Sequence, residues 1–145
     1  MTRRLVAVLL AAFLVSGCVP ASPDVDTYGD EALRTAGTAV SHVRTVERVL
    51  NLLHEQRMLR PTAITQLRYS EDGLGTTTTS FSELNPPLAS DPLADRLGGL
   101  LDRAEQLVMD ARVTVERRAV EDYADVARQL ESTAKKLEAV EAGLS

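Results

Sequence analysis

From Leu97 to Leu144 the apolar residues return at helical spacing without a proline between them. Leu97, Leu101, Ala104, Val108, Ala111, Val115, Ala119, Tyr123, Val126, Leu130, Thr133, Leu137, Val140 and Leu144 follow one another at steps of 4, 3, 4, 3, 4, 4, 4, 3, 4, 3, 4, 3 and 4. Steps of three and four keep side chains on one face of an α-helix, whereas a strand needs a period of two. The pattern therefore commits this third of the chain to helix, over about 91–142, with Asp91 as N-cap and Pro92 at the first helical position, where its missing N–H does no harm. The repeated fours between Val115 and Tyr123 form a stutter, which unwinds a supercoil locally or marks a break.

A second seam precedes it. Leu33, Ala36, Val40, Val43, Val46, Leu50 and Leu53 recur at the same steps, with Arg34, Ser41, Arg44, Arg48 and Glu55 in the gaps. They predict an amphipathic helix over about 28–59, opened by the capping-box-like Thr27-Tyr28-Gly29-Asp30 and ended or kinked by Pro61. Gly37 within it leaves room for a neighbouring helix. A short piece over 62–71 follows, with Ile64 and Leu67 inward and Gly73 as its stop. Residues 72–90 hold Thr76 to Thr79 and Asn85-Pro86-Pro87 and show no helical period, so they are expected to form a long loop. Loops of that length carry contacts to partners or connect the arms of a hairpin.

The fold class is thus all-α, in one of two forms. Fifty helical residues make a rod of about 75 Å, and the first helix covers about 48 Å of it, with the piece after Pro61 extending the cover. Collinear pieces give a long antiparallel helical hairpin, which is the favoured form; a break at the stutter gives a small up-and-down helical bundle. Aromatic residues are 3% of the chain and Trp is absent, so either core is built mainly from Leu, Val and Ala.

The start of the chain has a different character. Arg3 and Arg4 precede Leu5 to Val15, eleven residues without charge, and the chain's single cysteine, Cys18, follows after Ser16 and Gly17. A charged n-region and a short apolar run make a secretory signal; eleven helical residues reach only about 16 Å, half of a bilayer core. Val15-Ser16-Gly17-Cys18 resembles the lipobox of bacterial lipoproteins. That resemblance covers the first 18 residues and implies cleavage between Gly17 and Cys18, with diacylglycerol attached through the Cys18 thiol. Two acyl chains anchor a protein stably where one does not. Residues 18–26, rich in Pro, Ser and Asp, read as a tether. A lone cysteine also excludes an intrachain disulfide.

No constellation in the chain supports catalysis. His42 and His54 are the only histidines and stand twelve residues apart, about 18 Å along one helix, too far to share a metal. Gly73-Leu74-Gly75 and Gly98-Gly99 match no phosphate loop, and no nucleophile elbow occurs. Asp95, Asp102, Glu105, Asp110 and Glu116 alternate with Arg96, Arg103, Arg112 and Arg117 as on a solvated, ion-paired helix face. The formal charge of −5 becomes −7 once Arg3 and Arg4 leave with the leader, 14 basic residues against 21 acidic ones, which disfavours nucleic acid. The expectation is a non-enzymatic lipoprotein without cofactor or metal. It is held to the cell membrane through Cys18 on the extracytoplasmic side, and it contacts a protein partner or itself through its helices. The alternative is a lipoprotein that holds a small molecule or lipid near Pro61 or beneath the loop.

Overall fold

The computed structural model describes residues 23–145. The leader 1–17, the Gly17 and Cys18 positions and most of the expected tether lie outside the described residues. Four α-helices follow in order: α1 (Val25–His54), α2 (Arg60–Ser82), α3 (Asp91–Arg117) and α4 (Tyr123–Leu144), with single 3₁₀ turns at Leu88–Ser90 and Val120–Asp122. No strand occurs among the described residues. Each helix packs on the next, α4 closes on α1 across the most extensive contact, and α1 meets α3 across the diagonal. Of the two forms the sequence allows, the chain adopts the up-and-down bundle; the favoured long hairpin is not formed.

The reason lies in two turns. At the end of α1, Gln56 takes a left-handed conformation (φ 57°), with Gln56 N donating to Leu53 O and Arg57 N to Leu52 O. At the end of α3, Arg118 does the same (φ 62°), with Arg118 N donating to Val115 O and Ala119 N to Thr114 O. Both are Schellman caps built without glycine. The second falls inside the stutter, so the expected 91–142 helix is two helices. The first ends α1 at His54 rather than near 59, seven residues ahead of Pro61. Pro61 then sits in the first turn of α2 and causes no kink. The Arg60 guanidinium ties the two turns together, since its Nε and Nη2 donate to the Val115 and Glu116 carbonyls at 3.0 and 2.7 Å. These are C-terminal carbonyls of α3; Val115 O is shared with the Arg118 N–H of the cap, and Glu116 O takes its bond from Arg60.

Two further boundaries differ from the expectation. α1 starts at Val25 within the expected tether, because Asp24 caps it by accepting from Thr27 N at 2.7 Å. α2 runs through the expected loop 72–90 as far as Ser82, so neither Gly73 nor the threonine run stops it. The hydroxyls of Thr76, Thr77 and Thr78 donate to the carbonyls of Asp72, Gly73 and Leu74, and the apolar Leu74 and Phe81 fix this half of the helix from the core side. At α3, Ser90 is the N-cap residue, one position before the expected Asp91, which is in the first turn with Pro92.

The core runs through all four helices and is built mainly from Leu, Val and Ala, with Tyr28, Phe81 and Tyr123 among them. Every residue of the long seam is buried except Ala119 and Leu144, which are half-buried. The buried face is wider than the seam, since Leu107, Ala127 and Ala134 are buried as well. A helix flanked by two neighbours buries a broader stripe than one arm of a hairpin.

Candidate functional sites around helix α3

Charge is sorted around α3. Asp95 and Asp102 stand seven residues apart, and so do Arg96 and Arg103, one position further on. One residue of α-helix is a turn of about 100°, so the acidic row faces α2 and the basic row faces α4. Arg103 shows this directly, donating to Gln129 Oε1 of α4 at 2.7 Å.

On the α2 side the outcome is a groove of about 380 Å³ lined by Glu71, Gly75, Asp102, Glu105, Gln106 and Met109. It exists because α2 is thin there: eight of the ten residues from Gly73 to Ser82 are Gly, Ser or Thr. At its far end Arg112 donates to Glu71 at 2.6 and 3.3 Å and to Glu116 at 3.0 Å, while Arg68 reaches Glu116 at 3.4 Å. Arg112 holds the Glu116 carboxyl below its ordinary range, with a smaller contribution from Arg68. Asp102 and Glu105 make no ion pair among the described residues.

The same inter-helix valley continues towards the 83–90 turn as a cleft of about 310 Å³, with Phe81, Leu84, Pro86, Ala94 and Leu101 among its walls and Asp102 shared with the groove. Tyr28 closes its floor, its ring 5.8 Å from that of Phe81. Burial, assisted by the charge of Asp91, raises the pKa of the Tyr28 hydroxyl above its ordinary 10.0.

On the α4 side a shallower groove of about 500 Å³ is lined by Arg96, Arg128, Glu131, Ser132, Lys135, Lys136 and Ala139. Lys135 pairs with Glu131 at 2.7 Å and lowers its pKa, and Arg128 pairs with Asp125. Arg96 and Lys136 have no ion-pair partner among the described residues. The alternation of charge over the first half of α3 thus resolves into two faces of opposite sign, which the linear sequence already carries in the spacing 95/102 against 96/103. A uniform ion-paired face was the wrong inference from it, because α3 has a neighbour on each side.

The histidines are separated, as their spacing requires. His54 is exposed at the end of α1, and His42 is half-buried against α2, its ring centroid 6.3 Å from that of Tyr69. Among the described residues no group of three or more His, Cys, Asp and Glu is placed to hold a metal ion, and no helix is long and apolar enough to cross a membrane. Gly17 and Cys18, the expected cleavage and lipidation positions, lie outside the described residues. No family model, curated protein or solved structure matches this chain.

Proposed function

We propose that this chain is a bacterial lipoprotein, anchored through Cys18 on the extracytoplasmic side of the cell membrane, whose bundle acts without catalysis by binding protein through the faces that flank α3. The observation that carries the binding half is the sorting of unpaired charge: carboxylates of Asp102 and Glu105 on one side, cations of Arg96 and Lys136 on the other. Charge set out in opposite grooves steers and orients a partner. The anchoring half rests on the lipobox-like Val15-Ser16-Gly17-Cys18. It also fits the layout of the bundle. The start of α1, the 83–90 turn and the end of α4 share one end, and Leu88 there is 90% exposed. Six residues from Cys18 to Asp24 reach at most about 20 Å, so this end would face the lipid.

Two measurements test the halves separately. Cys18→Ala should release the protein from the membrane fraction and leave the precursor uncleaved, at a mass without acyl groups; retention at unchanged mass removes the anchor. Capture of the full chain from cross-linked membranes should recover a polypeptide joined through the α2–α3 or α3–α4 face, and cross-links at neither face remove the binding half.

The cleft beneath the 83–90 turn supports a second reading, a binding site for a small apolar molecule, for which its volume and its aromatic floor are suited. Gly98 lines the cleft, and a Cβ there meets nothing within 4 Å. Gly98→Phe should therefore fill the space and abolish the fluorescence gain of a small apolar dye, and an unchanged gain places the dye elsewhere.

A further inference from the structure

The two grooves beside α3 are complementary to each other as well as to an outside partner. The acidic one presents Asp102 and Glu105, and the basic one presents Arg96 and Lys136, two unpaired charges of each sign. The two grooves also overlap in their span along the bundle. Counted from the shared end, Asp102 and Glu105 lie about 17 and 21 Å along α3, and the basic groove runs from about 8 Å at Arg96 through about 12 Å at Lys136 to about 24 Å at Arg128. Two bundles standing parallel, as copies anchored by the same end would, therefore bring the acidic groove of one beside the basic groove of the other over a shared stretch of their lengths. We propose that the partner in the α2–α3 groove is the α3–α4 face of a second copy of this chain. This rests on the protein-binding reading above and names its partner.

The geometry also sets the symmetry. The interface pairs two different surfaces, so it is heterologous and each copy keeps one groove free for the next. The acidic and basic rows of α3 are turned by about 100° from each other, close to the right angle between adjacent sides of a four-sided bundle. A turn of about 90° per copy closes after about four copies, with the anchored ends on one side of the ring.

Charge reversal tests the pairing in the full-length protein. Two differently tagged copies are co-expressed, membranes are treated with a carbodiimide that joins amines to carboxylates, and one tag is captured. Wild type should carry the second tag, with links from Lys135 or Lys136 to Asp102 or Glu105 and species up to about the tetramer. Asp102→Lys with Glu105→Lys, or Arg96→Glu with Lys136→Glu, should each cut co-capture about tenfold or more. All four substitutions in one chain restore opposite charge and should restore co-capture, a recovery that misfolded variants would not show. Undiminished co-capture in the single-groove variants, or no recovery in the fourfold variant, overturns the proposal. Links from Asp102 or Glu105 only to a different protein overturn it too, while leaving the protein-binding reading intact. Links at neither groove overturn both.

Discussion

His42 and Gly73 form a contact in which each residue depends on the other. A Cβ built on Gly73 would lie 2.4 Å from His42 Cε1 and 2.6 Å from Nε2, so the imidazole rests directly on the backbone of α2. Gly73 also costs the helix about 1 kcal/mol relative to Ala, because glycine loses more backbone freedom on folding. The two effects have opposite sign, and overpacking, at about 1–3 kcal/mol, wins while the ring is in place. Gly73→Ala is therefore expected to lower stability by about 1 kcal/mol in the wild type and to raise it by up to about 1 kcal/mol in His42→Ala, measured by urea unfolding; a gain in both backgrounds would mean that the ring yields freely. Burial also holds the His42 pKa below its ordinary 6.5. The unfolded chain then takes up the proton first, so stability is highest above that value and falls as the pH drops through it. His42→Ala should flatten this part of the stability profile between pH 7.5 and 5.5. From the sequence, Gly73 looked like a helix stop, since nothing local distinguishes a glycine that ends a helix from one that receives a side chain from another.

The helices are defined by caps, and the caps explain which boundaries were legible. Gln56 and Arg118 occupy the left-handed position that glycine usually fills, at a cost of about 1–2 kcal/mol each for an L-residue. Gln56→Gly and Arg118→Gly should each raise stability by about 0.5–1 kcal/mol after the greater freedom of glycine in the unfolded chain is deducted, visible as a rise of about 2–5 °C in Tm. A fall instead would show that the side chains hold these turns. Because neither position carries Gly or Pro, the sequence marks the end of α1 only through Pro61, and the break between α3 and α4 only through the stutter. Start signals were better marked: Ser90-Asp91-Pro92 lies within one residue of its predicted role. Asp24 is masked as a start signal because Thr27, three residues on, offers a similar side-chain cap. Its carboxylate is held below the ordinary 3.8 chiefly by the Thr27 N–H, and the Glu116 carboxylate is lowered by Arg112. A lowered carboxylate stabilises the fold above its unfolded pKa, and that contribution disappears as the pH falls through the folded value. Tm should accordingly drop below about pH 4, and Asp24→Ala should remove part of that drop while speeding amide exchange at Thr27. The threonine run on α2 misled for a physical reason: its hydroxyls bond equally well to a turn or to the carbonyl four residues back, and only the core contacts of Leu74 and Phe81 decide between them.

At the scale of the molecule the seam identified what is buried and left the topology open. A continuous α3–α4 rod and a pair of packed helices share the same buried seam, and the choice falls on five residues, Arg118 to Asp122. In the bundle, the turn at Arg118 sends α4 back along α1, and this brings Arg96 and Ala139 to line the same groove. In a continuous helix those two residues would be about 65 Å apart, at 1.5 Å for each of 43 steps. Replacing Arg118, Val120, Glu121 and Asp122 by Ala removes the left-handed cap and supplies strong helix formers throughout the turn. α4 can then no longer reach α1 of its own chain, and its exposed apolar stripe would find the same surface on a second copy by domain exchange. Labels placed at Arg96 and Ala139 in a Cys18→Ala background, diluted into unlabelled protein, distinguish the outcomes within one chain whatever its oligomeric state. The expected result is a short distance with the native turn and one of about 65 Å in the alanine variant. A short distance in both would show that the packing of α4 on α1 sets the turn and that the cap at Arg118 follows from it.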